Sequence, residues 1–158
     1  MSKITPSLWF DDNLEEAMDF YVSVFPDSKI HGVVRYGEAG PGKPGSVMTG
    51  DFEIMGQRFN AINGGPEFKF SEAVSFIVDC KDQAEVDYYW TKLTSDGGAE
   101  SYCGWVKDRF GLSWQIIPEA LYRTVTGSDP AGAQRATQAM LKMRKLVVAD
   151  LEKAYAGQ

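Results

Sequence analysis

Residues 15–25 read EEAMDFYVSVF, and residues 83–93 read QAEVDYYWTKL. Overlaid at an offset of 68, they bring Asp19 and Tyr21 onto Asp87 and Tyr89, and Asp11 onto Asp79. In the first stretch Leu14, Ala17, Met18, Tyr21 and Phe25 recur at helical spacing. Asp11-Asp12-Asn13 offers an N-cap, and Glu15 and Glu16 fall in the first turn, where the helix dipole favours acids. Pro26-Asp27-Ser28 ends this helix. The second stretch predicts a helix over 82–95, stopped by Gly97-Gly98.

Strand patterns flank both helices. Residues 3–10 (KITPSLWF) predict a strand with Pro6 near its start, and 29–36 a second one. Gly37 to Gly45 (GEAGPGKPG) is a loop on composition. Residues 46–55 and 58–63 predict a hairpin around Met55-Gly56-Gln57, and Gly64-Gly65-Pro66 breaks the chain. In the second half, 73–80 (AVSFIVDC) predicts a strand. Residues 101–107 and 112–117 predict a hairpin turning through Asp108-Arg109-Phe110-Gly111, closed by Pro118. The hairpin ends overlay at an offset of 55, EIMGQRFN (53–60) on DRFGLSWQ (108–115). Strand, helix, then antiparallel strands thus occurs twice in a chain of single-domain size.

Residues 119–158 differ in character. Asp129-Pro130 predicts a helix start. Beyond it Ala136, Met140, Met143, Val147, Leu151 and Ala154 form one apolar stripe, and Leu141, Val148 and Tyr155 a second. Residues 130–158 carry +3, so the remainder of the chain carries -9. That complementarity favours packing on the acidic body, in the same chain or on a dimer mate, over a membrane or a calmodulin-like partner.

Composition limits the functions. The 158 residues are 44% apolar and 13% aromatic, which argues against disorder. Sixteen Lys+Arg against 22 Asp+Glu leave a net charge of -6, which repels a phosphate backbone and argues against nucleic-acid binding. One histidine, His31, and two cysteines, Cys80 and Cys103, exclude most zinc folds and any disulfide scaffold. The N-terminus shows no apolar signal region, and no apolar run approaches the ~20 residues of a bilayer span. A cytoplasmic location with reduced thiols and no membrane contact is expected.

The chain resembles the vicinal oxygen chelate superfamily, which includes glyoxalase I, extradiol dioxygenases and the fosfomycin and bleomycin resistance proteins. Within it the chain is similar to the PhnB-like family, often labelled demethylubiquinone 3-methyltransferase. The residues that carry this are Ile4 to Phe10; Glu16 to Tyr21 with Phe25-Pro26-Asp27-Ser28; Cys103 to Asp108 running into Gly111; and Trp114 to Pro118. Met140 to Leu146 and Leu151 to Ala154 in the tail also fit.

The resemblance implies an α+β fold. Two βαβββ modules, about 1–66 and 67–118, would form a cup-shaped mixed eight-stranded sheet over 1–118, with a C-terminal helical extension over 119–158. It also implies a pocket inside the cup and a homodimer. In metal-using members a divalent ion is held by His, Gln or Glu near the start of the first strand and on the last strand of each module. Carried over, those positions fall near Thr5 and Ala73 and at Asn60 and Gln115. No His, Asp or Glu lies in 4–10, 58–63, 73–78 or 112–117, so no metal site and no cofactor is expected. The methyltransferase label sits poorly with a chain that lacks a glycine-rich turn opening a helix.

What is left is a cup pocket for an unknown small molecule. Trp9 and Trp105 are candidate walls, and Thr5, Asn60, Asn63, Lys107 and Gln115 candidate polar groups. Alternation along a strand sends Trp114 into the core if Gln115 faces the pocket, and puts Trp9 on the side of Thr5 and Ser7. Cys103, with Lys107 on the same side of its strand, is weighed as a thiol nucleophile and read first as a packed residue. The pair Lys107–Asp108 reads as a turn-flanking charge pair of little energetic weight. Three alternatives stand beside metal-independent binding: a metal-dependent lyase or dioxygenase with an atypical ligand set, a demethylubiquinone methyltransferase, and a non-catalytic dimeric interaction module.

Overall fold

The computed structural model describes residues 2–158. Contacts divide the chain into two units, 1–70 and 71–158, so the extension joins the second repeat. Among the described residues, eight strands lie in two four-stranded mixed sheets. The elements of the first unit are β1 (Ser7–Phe10), α1 (Leu14–Val24), β2 (Lys29–Arg35), β3 (Val47–Ile54) and β4 (Gln57–Asn63). Its sheet runs β1-β4-β3-β2, with β1 parallel to β4 and the other pairs antiparallel.

The period-2 pattern of these strands puts Leu8, Phe10, Phe52, Ile54, Phe59 and Ala61 on one face, all buried. The helical pattern of α1 buries Leu14, Ala17, Met18, Tyr21 and Val24. Tyr21 stacks on Phe52 and Phe52 on Phe59, with centroids 6.2 and 5.4 Å apart. Gly50 is needed under the helix, because a Cβ there would lie 2.6 Å from the Met18 sulfur.

The expected cap from Asp11-Asp12-Asn13 is not how α1 begins. Asn13 occupies the cap position, but its side chain makes no capping bond. Asn63 supplies it from β4, its Oδ1 accepting from Leu14 N–H at 3.0 Å while its Nδ2 donates to the Val47 carbonyl at 3.0 Å. A long-range amide replaces a local one, which periodicity along the helix does not reveal.

The second unit holds β5 (Ser75–Cys80), α2 (Gln83–Thr94), β6 (Ala99–Glu100), β7 (Trp105–Lys107) and β8 (Ser113–Pro118). Its order, β5-β8-β7-β6, repeats the first. Here α2 is capped locally: Asp82 Oδ1 accepts from Glu85 N–H at 2.9 Å, and Glu85 Oε2 accepts from Lys81 N–H at 2.8 Å. Val86, Tyr89, Trp90 and Leu93 are its buried face.

Two expectations are corrected in this unit. Residues 101–104 do not continue the hairpin arm; Cys103 (φ 58°) and Gly104 (φ 83°) turn the chain, and Ala99–Glu100 is the short strand that pairs with β7. Nor is the tail one helix from residue 130. After α3 (Glu119–Val125) it forms α4 (Pro130–Leu141) and α5 (Val148–Ala156), with a break at 142–147. The break frees the carbonyls of Met143 and Arg144 to accept from Cys103 and Gly104 N–H at 2.9 and 2.8 Å. Leu146, fully buried, joins Ile117, Leu121 and Leu151. Gln83 clamps the same segment, donating to the Leu146 carbonyl and accepting from Val148 N–H. The extension therefore packs on the second sheet of its own chain.

Candidate functional site

Each sheet has one face covered by its helix and one face without it. On the open face of the first sheet, register places Ser7, Asn60 and Asp51 in one row and Trp9, Ile62 and Thr49 in the next. Ser7 Oγ donates to Asn60 Oδ1 at 3.0 Å, and Asn60 Nδ2 reaches Asp51 Oδ1 at 3.2 Å. Trp9 is half-buried and edge-on to Phe68 at 4.9 Å; its indole donates to the Gly65 carbonyl at 2.9 Å. A Cβ at Gly64 would lie 2.3 Å from that indole, so the Gly64-Gly65 turn is a seat for Trp9.

On the open face of the second sheet, Ile77, Gln115 and Trp105 form one row, and Ser75, Ser113 and Lys107 the next. Gln115 Nε2 donates to Ser75 Oγ at 2.9 Å. Lys107 Nζ lies 2.6 Å from Glu72 Oε1, which holds the Glu72 carboxyl below its usual range. Trp114 faces the other way and is 2% exposed.

Of the expected residues, Trp9 and Asn60 share one open face, and Trp105, Lys107 and Gln115 share the other. Thr5 precedes β1 and is exposed. Asn63 lies on the helix face, with both ends of its amide bonded internally. It lines a different pocket, of about 460 Å³, together with Asp11, Asp12, Tyr36, Lys43 and Gly65. The glycine-rich loop walls this pocket because it wraps the Tyr36 ring: a Cβ at Gly42 would lie 2.3 Å from it. Tyr36 Oη donates to the Asn63 carbonyl at 2.7 Å. The sequence carried a signal for this, an aromatic residue followed by closely spaced glycines.

Register sets Ser7 beside Asn60 and Ile77 beside Gln115. The overlay at an offset of 68 is thus two residues short for the first strands, and Thr5 and Ala73, the positions that the resemblance implies, both precede their strands, next to these rows. A serine, an isoleucine and two neutral amides are a poor donor set for a divalent ion, and Asn60 already accepts from Ser7 with its amide oxygen. Among the described residues no three His, Cys, Asp or Glu converge. His31 meets one carboxylate, Glu53, at 3.1 Å on exposed β2.

The two thiols are poor candidates for chemistry. Cys80 is fully buried, and burial, then the charges of Glu85, Asp79 and Asp82, push its pKa up to about 12. Cys103 sits in the turn tied to Met143, and the Lys107 ammonium is engaged by Glu72.

Asp108 is the residue that sequence reasoning undervalued. Its side chain is buried and does not pair with Lys107. Its Oδ1 accepts from Phe110 and Leu112 N–H at 2.9 and 3.1 Å, and its Oδ2 from the Trp114 indole at 2.9 Å. Gly111 takes φ 86° in the same turn. The run from Cys103 to Pro118 is thus built largely of structural parts.

Among the described residues no helix is long and apolar enough to cross a membrane. The family model for 3-demethylubiquinone-9 3-methyltransferase matches residues 2–117. A Bacillus cereus PhnB protein named for the same methyltransferase is 37% identical, with a TM-score of 0.68 over 74% of this chain and 99% of that one. The Pseudomonas aeruginosa protein PA1353 is 19% identical with a TM-score of 0.62, over 75% and 98% of the two chains. The fosfomycin resistance protein FosX of Listeria monocytogenes is 12% identical with a TM-score of 0.53, over 75% and 93%. These last two likenesses are of fold. No curated protein matches the chain. With most of its length matched by the family model and by the Bacillus relative, the chain belongs to the PhnB-like, 3-demethylubiquinone-9 3-methyltransferase family.

Proposed function

We propose that this protein binds a small organic molecule against an open sheet face without a resident divalent ion. The supporting observation is what stands at and beside the positions that the resemblance implies for a metal, near Thr5 and Ala73 and at Asn60 and Gln115: Ser7 pairs with Asn60 and Ile77 with Gln115. They are neutral, two of them bond to each other, and half-buried Trp9 and Trp105 flank them on the same faces. Apolar walls with a few fixed polar groups are the usual make-up of a ligand site.

The family's name points instead to methyl transfer onto a quinone. The strand-to-helix connections here are Asp11-Asp12-Asn13 and Lys81-Asp82, without the glycines that let a backbone approach a nucleotide cofactor, and both sheets are mixed. This favours binding over methyl transfer.

The test is a tryptophan-fluorescence titration of the dialysed protein with a panel of small aromatic fragments, run with and without EDTA. Calorimetry with S-adenosylmethionine runs alongside. Saturable quenching that EDTA leaves unchanged, with no heat from S-adenosylmethionine, is expected. Binding that EDTA abolishes and Mn²⁺ restores would establish the metal-dependent alternative. Heat at a defined stoichiometry with S-adenosylmethionine would establish the methyltransferase.

A further inference from the structure

Ser113 carries the observation that the binding reading does not use. Its residue is 1% exposed, and its Oγ has no hydrogen-bond partner among the described residues. A buried hydroxyl without a partner is costly, and natural structures seldom tolerate one without a reason. Strand alternation turns it to the open face of the second sheet, since its neighbour Trp114 faces the core.

Its neighbours give the chemistry. Register puts Ser113 between Ser75 on β5 and Lys107 on β7, strands about 4.8 Å apart. Ser75 Oγ accepts from Gln115, which leaves its own hydrogen to donate. Lys107 ends the row with an ammonium whose present partner, the Glu72 carboxylate, is largely exposed. Two hydroxyl donors and an ammonium in line are complementary to an anionic oxygen. The adjacent row, Ile77 and Trp105 on either side of Gln115, is apolar at both ends, and Ile77 is 54% exposed.

We propose that the Ser75–Ser113–Lys107 row binds the anionic oxygen of the ligand, a carboxylate or a phenolate, with its apolar body over Ile77 and Trp105. This rests on the small-molecule reading above and names the ligand class for it. Glu72 occupies the ammonium while the row is empty and yields it to the ligand's oxygen.

Calorimetry with benzoate, 4-nitrophenolate and the neutral benzyl alcohol tests this on the full chain. At least one anion is expected to bind roughly tenfold or more tightly than benzyl alcohol, and the preferred anion tells carboxylate from phenolate. Ser113→Ala and Lys107→Met should each remove most of that advantage, weakening the anion far more than benzyl alcohol, while Glu72→Gln should strengthen anion binding. Ser113→Ala deletes an unpartnered group, so its melting temperature should not fall. Equal binding of anion and alcohol, or wild-type anion binding by Ser113→Ala, overturns the anion row and leaves small-molecule binding standing. No binding of any of the three overturns both.

Discussion

The two repeats close the same hairpin by different means. In the first, β3 turns into β4 through Met55 and Gly56, both with positive φ (48° and 86°), a two-residue turn whose backbone matches strand twist and whose outside tie is Ser28 Oγ, on the surface, accepting from Met55 N–H at 3.1 Å. In the second, β7 reaches β8 through the longer loop 108–112, and one buried carboxylate holds it. Glu53 and Asp108 fall on the same position of the overlay. Glu53 makes only a surface contact with His31, whereas Asp108 makes three bonds inside. Homologous positions thus carry unequal weight, decided by the length of the loop beside them.

Breaking that inequality gives the largest expected effect. Asp108→Ala removes the carboxylate that two backbone N–H groups and the Trp114 indole donate to. At about 1.5–3 kcal/mol for each bond to a charged group, the loss should be about 5 kcal/mol or more. Glu53→Ala should cost below about 1 kcal/mol. Denaturant melts of the two variants check this, and similar losses would show that both hairpins lean on a side chain.

The repeats also differ in what covers them. All seven residues of β2, the first sheet's edge, are exposed, including Ile30, Val33 and Val34. The second unit continues into an extension whose Leu146 sits against the 103–104 turn; a Cβ on Gly104 would lie 3.1 Å from its Cδ1. Leu146→Ala should cost about 3 kcal/mol, as deletion of a buried leucine does. If the extension were merely appended, the melt would show a loss well under that.

Much of this was legible in the sequence. Helical spacing marked α1 and α2, and alternation marked β3, β4 and β8, because local periodicity reports which face is buried. Trp114 was placed in the core by alternation from Gln115. What was not legible depends on long-range partners. Nothing local says that Asn63 caps α1, that Asp108 is buried, or that the tail breaks at 142–147 to feed carbonyls to Cys103 and Gly104. The two-residue shift that sets Ile77 rather than Ser75 beside Gln115 is a fact of strand register, which an overlay of two weakly similar segments does not fix.

A smaller effect sharpens the first comparison from the other side. Met55 holds φ 48°, a region that asparagine tolerates better than an unbranched apolar residue. Half-exposed, its side chain contributes little packing. Met55→Asn should therefore stabilise the protein by about 0.5–1 kcal/mol through the turn alone. Asp108→Asn, an equally small change in the other hairpin, should destabilise, because an amide nitrogen would face donors. Opposite signs from the same introduced residue would isolate the difference between a backbone-closed and a side-chain-closed turn.

The smallest effect concerns the 142–147 segment and its pH dependence. Lys145 Nζ lies 2.7 Å from Asp87 Oδ1, and Gln83 donates to the same oxygen at 3.0 Å. The Lys145 hydrogen bond first, then that of Gln83, hold the Asp87 carboxyl below the ordinary aspartate range. A lowered folded-state value means that the unfolded chain takes up the proton first. The stabilisation is therefore fully present above the ordinary aspartate range and is lost as pH falls through the lowered folded value. Asp87 is half-exposed, so the gain is discounted to about 0.5 kcal/mol. Asp87→Asn should leave the melting temperature nearly unchanged in strong acid, lower it slightly at neutral pH, and make the curve shallower between. A variant whose acid limb runs parallel to the wild type's would mean that the 142–147 segment is held by Leu146 and the Gln83 clamp without the Lys145–Asp87 pair.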